Sequence, residues 1–100
     1  MSSVSFIVPV YNKSRFLKNV VESLKNQKGS FRKEFIFIDD GSTDNSYKRL
    51  LDLTKRLTNC KILRQKNKGS ANATNFGIRL AKMKYIKFLD ADDIILSQTT

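Results

Sequence analysis

Four short apolar bursts, separated by segments with apolar residues at helical spacing, constrain this chain more than any other feature. Val4-Ser5-Phe6-Ile7-Val8, Phe35-Ile36-Phe37-Ile38, Lys61-Ile62-Leu63-Arg64 and Tyr85-Ile86-Lys87-Phe88-Leu89 are rich in β-branched and aromatic residues and read as strands. Between them, Phe16, Leu17, Val20, Val21 and Leu24 share one face of a helix. So do Tyr47, Leu50, Leu51, Thr54 and Leu57, and then Ala73, Phe76, Gly77, Leu80 and Ala81. The order β-α-β-α-β-α-β, with right-handed crossovers, predicts an α/β Rossmann-like fold: a mostly parallel sheet with helices on both faces. Ser14 is placed to cap the first helix, one of Ser42, Thr43 or Asp44 the second, and Ser70 the third. Pro9 falls at the end of the first strand, where a missing amide costs little. No repeat, low-complexity tract or linker interrupts the 100 residues, which read as a single domain.

Composition narrows the chemistry. With no histidine and a lone Cys60, the chain has no zinc-finger ligand set, no histidine-based triad and no intrachain disulfide. Carboxylates are the strong metal ligands and acid/base groups that remain. Cys60, just before the third strand, reads as a small buried or half-buried residue. The formal net charge is +10, from 19 Lys and Arg against 9 Asp and Glu. The basic residues, among them Lys18, Lys25, Lys48, Arg56, Lys82 and Lys84, are spread along helices and strand flanks with no nucleic-acid motif. A solvated face is the first reading and attraction to an anionic membrane the second. Nucleic acid comes last, because no stacking platform accompanies the charge. No signal-peptide pattern or membrane-length apolar run is present, so the expected location is cytoplasmic, with peripheral contact at the cytosolic membrane face as an option.

In open α/β sheets ligands bind beyond the carboxyl ends of the strands, and this chain concentrates its unusual polar residues there. Tyr11 and Asn12 follow the first strand, Asp39-Asp40-Gly41-Ser42-Thr43-Asp44 the second, and Asp90-Ala91-Asp92-Asp93 the fourth. Carboxylates held as close as Asp90, Asp92 and Asp93 repel unless a cation lies between them, which suits a hard divalent ion carrying a diphosphate. The same residues also suit a helix N-terminus. A carboxylate at the second strand's end can accept a pyrimidine imide N–H or a ribose hydroxyl, but taken alone Asp-Gly-Ser-Thr-Asp reads first as turn and N-cap chemistry. Asn67-Lys68-Gly69-Ser70 offers free amides at the entry to the third helix without a full phosphate-loop pattern. Gly77, mid-helix, reads as a point of close approach to the sheet.

Together, Val4 to Asn12, Phe35 to Asp44, Asn67-Lys68-Gly69 and Tyr85 to Asp93 resemble, in order and spacing, the N-terminal half of the family 2 glycosyltransferases. These are inverting enzymes of the GT-A fold. The resemblance implies that Pro9 and Tyr11 line a nucleotide pocket, that Asp40 hydrogen-bonds the base, usually uracil, and that Asp39 supports it. It further implies that Asp90-Ala91-Asp92 is the family's D-x-D element, with Asp92 binding Mn²⁺ or Mg²⁺ and Asp90 holding the ribose or the metal's water shell. The implied donor is a nucleotide sugar, most commonly a UDP-sugar. The implied acceptor is a saccharide or lipid-linked saccharide in surface polysaccharide synthesis.

Two departures stand out. Many members have Ala-Arg-Asn at the start of the third helix, whereas this chain has Ala73-Thr74-Asn75, which leaves Lys68 or Arg79 to supply the missing cation. In the family the acceptor site and the catalytic base, a carboxylate, follow the segment seen here. The expectation is therefore a nucleotide-sugar-binding domain over residues 1–100, C-terminally truncated relative to the family, in which no catalytic base is assigned. An uncovered fourth strand would also favour a homo-oligomer.

Overall fold

The computed structural model describes residues 3–25 and 32–89. Strand β1 (Ser3–Val10) leads through a short 3₁₀ turn (Ser14–Phe16) into helix α1 (Leu17–Lys25). Then follow β2 (Arg32–Asp40), α2 (Ser46–Thr54), β3 (Cys60–Gln65), α3 (Ser70–Leu80) and β4 (Tyr85–Phe88). All strand pairs are parallel and the sheet order is β3-β2-β1-β4. The chain works outward from β1 to β3, then crosses back to place β4 on the other side of β1.

That reversal sorts the helices onto two faces, and the strands carry matching apolar sets. Phe6, Val8, Val10, Phe35 and Phe37 join Leu17, Val20, Val21, Leu24 and Leu50 in one core under α1 and α2. Ile7, Ile36, Ile38 and Ala73 form the second core, under α3. Alternate residues of one strand point to opposite faces, so the unbroken run Phe35-Ile36-Phe37-Ile38 supplies both cores at once, as a central parallel strand requires. Phe6 and Phe35 are partners in the β1–β2 register, and their rings stack with centroids 5.4 Å apart.

Gly77 lets α3 lie close to the sheet. A Cβ at this position would sit 2.6 Å from Ile7 Cγ2 and 2.9 Å from Ile38 Cδ1. Pro9 is accommodated within β1 because the β1–β4 ladder stops at Ile7↔Phe88. Pro9 faces the same side as Ile7, beyond the last pair, so no ladder bond is lost.

Several local expectations change. Leu51 is 43% exposed, and Leu53 packs on the core instead. Leu51 lies about 100° around the helix from Leu50, outside the stripe centred on Leu50 and Thr54. The α3 cap position is Gly69, with φ of 97°, and Ser70 is the first helical residue. The short helical turn is preceded by Lys13 and has no side-chain cap, so Ser14 does not cap α1; its hydroxyl donates to Asn45 Oδ1 instead.

At the edge where the strands begin, Glu34 fastens the fold. Its Oε2 accepts the Ser5 hydroxyl at 2.6 Å and the Lys82 N–H at 2.7 Å, and its Oε1 lies 3.7 Å from Lys61 Nζ. Ser5 Oγ in turn accepts the Met83 N–H at 3.1 Å. Burial pushes the Glu34 carboxyl up, but the Ser5 and Lys82 donors with the Lys61 and Lys82 charges outweigh it and hold the group below the ordinary range.

Candidate functional site

The opposite edge, where the strands end, gathers most of the residues singled out above. The register Val10↔Asp39 and Asp40↔Gln65 sets the ends of β1, β2 and β3 side by side. Their loops are then joined by side chains. Asn12, in the left-handed region at φ 50°, turns its Oδ1 to accept the Thr43 N–H at 2.8 Å and the Asp44 N–H at 3.3 Å. Its own N–H donates to Ser42 Oγ at 2.9 Å. Lys13 N–H donates to Ser46 Oγ at 3.0 Å, and Asp44 Oδ1 accepts the Ser46 N–H at 2.9 Å. None of the three cap candidates for α2 occupies the cap position, which is Asn45 and makes no side-chain cap hydrogen bond; Asp44, one residue earlier, reaches the Ser46 N–H in an Asx turn. Burial raises the Asp44 carboxyl, yet the Ser46 hydroxyl and amide and the Ser14 amide leave it below the ordinary range.

The two adjacent aspartates have different surroundings. Asp39 is fully buried; its Oδ2 accepts the Ser42 N–H at 3.1 Å and pairs with Arg64 Nε at 3.4 Å. Its Oδ1 is buried without a hydrogen-bond partner. Asp40 Oδ1 accepts Gln65 Nε2 and the Lys68 N–H, both at 2.8 Å, and Oδ2 accepts the Gly69 N–H at 3.0 Å. Burial drives the Asp40 carboxyl up, but these three donors prevail and lower it below the ordinary carboxylate range. An ionised carboxylate offers about four acceptor positions, so one on Oδ2 is left after the loop is tied.

Gly41 is what allows the loops after β2 and β3 to meet. At φ +71°, a Cβ there would come within 2.7 Å of the Asn67 backbone nitrogen. Gly41, Arg64, Gln65, Lys66 and Asn67 line a depression of about 510 Å³. Tyr11, 41% exposed, reaches the same rim, where its hydroxyl accepts from Asn67 Nδ2 at 3.5 Å. Pro9 sits half-buried two residues before it.

The structure therefore brings Pro9, Tyr11, Asp39 and Asp40 to one edge. Asp90 and Asp92 lie outside the described residues, and among the described residues no cluster of three potential metal ligands occurs. Of the two residues left to replace the missing arginine, Lys68 lies beside Asp40 through its backbone N–H, with its side chain exposed. Arg79 lies nine residues into α3, about 14 Å along the axis from Ser70, with its guanidinium 5.7 Å from the Phe76 ring centroid. Sequence reasoning missed Arg64 and Gln65. Arg64 touches Asp39, donates to the Ser42 carbonyl at 3.4 Å and lies 5.0 Å from the Tyr47 ring centroid. Nothing in the local pattern of β3 marks either residue; only the register beside β2 does.

Comparison with known proteins decides the family. The sequence profile described as Glycosyl transferase family 2 matches residues 5–99. The chain belongs to glycosyl transferase family 2. It is 40% identical over 94 residues to glycosyltransferase GlyG of Streptococcus pneumoniae, covering 92% of this chain and 31% of GlyG. The family 2 chain thus spans about a third of that relative's length. Its fold is that of GT-A glycosyltransferases. Mannosyltransferase PcManGT from Pyrobaculum calidifontis, solved with GDP-Man and Mn²⁺, superposes with a TM-score of 0.81 at 22% identity, covering 89% of this chain and 27% of that one. S. aureus TarS, solved with UDP-GlcNAc, gives 0.76 at 23% identity, covering 99% and 30%. No helix among the described residues is long and apolar enough to cross a membrane.

Proposed function

We propose that the strand-end edge is the donor site of a glycosyltransferase, binding a nucleoside diphosphate sugar, with uridine as the nucleoside, for transfer to a saccharide or lipid-linked saccharide. The observation that carries this reading is Asp40: a buried carboxylate held ionised by three donors, with an acceptor position remaining on Oδ2. That position matches the single imide N–H of uracil and repels cytosine, whose N3 carries no hydrogen. Tyr11 and Pro9 supply the flat, partly exposed surface against which a base rests, and Asp39 holds the turn that aims Asp40.

The donor set Asp90, Asp92 and Asp93 is all-oxygen, which fits Mn²⁺ or Mg²⁺ and no softer ion. On this reading Asp92 and Asp90 hold the metal and the ribose. A divalent ion there would neutralise the diphosphate as the sugar–phosphate bond breaks. Arg64 and Lys66, which line the depression, add positive charge to the pocket. The base that deprotonates the acceptor is assigned to no residue of this chain.

Titration calorimetry tests the reading. UDP binds in the presence of Mn²⁺, CDP binds at least about tenfold more weakly, and Asp40→Asn removes the difference, in line with the cost of one mismatched buried hydrogen bond. Asp92→Asn abolishes the Mn²⁺ dependence. Equal UDP and CDP affinities that Asp40→Asn leaves untouched would overturn it.

A further inference from the structure

The strand-start edge, about 25 Å from the donor site along the eight residues of β1, is built from the starts of the strands and the ends of the helices. Exposed basic side chains collect there from every layer. Lys25 ends α1, Arg32 begins β2, Lys55 and Arg56 follow α2, and Lys82 and Lys84 lie between α3 and β4. The segments after α2 and after α3 that carry four of them are pinned to the sheet. Asn59 Nδ2 donates to the Lys33 carbonyl at 3.0 Å, and the Phe35 N–H donates to the Asn59 carbonyl at 2.9 Å. Lys82 N–H donates to Glu34 at 2.7 Å and Lys84 N–H to Ser3 Oγ at 2.9 Å.

Few carboxylates balance this charge. Glu34 is buried and already faces Lys61, while Glu22 and Asp52 stand about one turn further up α1 and α2. Three helix C-termini also point here, and their partial negative charge of about half a unit each is exceeded by the six exposed cations. Apolar groups sit among the lysines: Ile78 at 40% exposure, Ile86 at 39% and Tyr85 at 52%, the last with Lys84 Nζ 5.5 Å from its ring centroid.

We propose that this edge is a docking surface for an anionic lipid bilayer. Exposed lysines and arginines meet the headgroups while the Tyr85 ring enters the interfacial layer, the mixture that interfaces favour. Nucleic acid fits less well. Among the described residues the edge consists of turns, with no helix to enter a groove and, in Tyr85, one exposed ring in place of a run of rings on which successive bases could stack. Docked this way, the donor site stands about 25 Å above the headgroups. It then serves the far end of a saccharide chain rather than a group at the bilayer surface.

The test is sedimentation of the 100-residue chain with vesicles of 30% phosphatidylglycerol in phosphatidylcholine and with pure phosphatidylcholine, at about 0.15 M salt. Two triple variants of equal charge change are compared. Arg56→Glu with Lys82→Glu and Lys84→Glu alters the proposed edge; Arg15→Glu with Lys18→Glu and Lys48→Glu alters the rest of the surface. Binding is expected on anionic vesicles only. The edge variant loses about 100-fold or more in affinity, since each basic residue at such a surface contributes about a fivefold gain. The other triple loses much less. Equal losses in both variants, or tighter binding of wild type to a 20-nucleotide RNA than to vesicles, would overturn the proposal. A Tyr85→Trp reporter keeps the test open if the edge variant fails to fold. Its emission shifts to the blue on anionic vesicles if the proposal holds and stays in place if it does not.

Discussion

Strand β2 ends in buried carboxylates at both extremities, Glu34 near its start and Asp39 with Asp40 at its finish, and the two extremities use them in opposite ways. Glu34 is satisfied by a hydroxyl, a backbone N–H and a lysine, so its charge is closed within the protein. Asp40 spends its hydrogen bonds on the loop after β3 and keeps one acceptor position, while Asp39 retains a buried oxygen with no partner. A carboxylate closed by cations and side chains stabilises a fold. One closed mainly by loop amides fixes the shape of a pocket and leaves acceptor capacity in it. Both arrangements lie in one strand, which separates a structural end from the proposed donor end.

The sharpest way to break this comparison is to remove each carboxylate. Glu34→Ala strands the buried Ser5 hydroxyl and frees the part-buried Lys82 N–H, and is expected to cost about 3 kcal/mol of stability, read as a fall in Tm of about 10–20 °C. Donor binding measured well below the new Tm stays unchanged. Asp40→Asn is expected to cost less stability, about 1–2 kcal/mol, because the loop amides can turn to water. Its UDP affinity nevertheless falls by at least about tenfold. If Glu34→Ala impaired UDP binding more than Asp40→Asn does, the division of roles would fail.

Gly77→Ala probes the layer between the two ends. Helix propensity alone would favour alanine by about 1 kcal/mol, but the added methyl must displace Ile7 or Ile38. A net loss of about 1–2 kcal/mol in urea unfolding is expected.

Acid unfolding sharpens the comparison further. Glu34, Asp40 and Asp44 all have folded-state pKa values below their ordinary ones. Groups shifted this way contribute stability in full above the unfolded pKa, and that contribution is lost as pH falls through about 4 toward the folded value. Stability is therefore flat near neutrality and declines below about pH 4.5. Glu34→Gln makes the decline shallower, which denaturant titrations at several pH values would read. The smallest effect concerns Cys60, whose thiol burial pushes up to about 11. Iodoacetamide at pH 8 is expected to label it far more slowly in the folded chain than in urea.

Legibility differed by type of feature. The periodicities of Phe35-Ile36-Phe37-Ile38 and of Leu17, Val20, Val21 and Leu24 were readable because burial on a strand or helix follows local spacing. Gly77 was readable because a mid-helix glycine has few other uses. Leu51 and Leu53 were misjudged, since the width of a helix's buried stripe depends on how deeply it beds into its neighbours. Gly69, rather than Ser70, proved to be the α3 cap position because the Asp40 carboxylate takes the Gly69 N–H and sets the turn.

By itself the amino-acid order determined the alternation of strands and helices, the family, and the placement of its polar residues at strand ends, all properties of neighbours along the chain. Only the tertiary structure decided that Arg64 and Gln65 reach Asp39 and Asp40, and that six separate cations share one edge. Those juxtapositions depend on parallel register and on helices running back against their strands, which set side by side residues that the sequence separates by tens of positions.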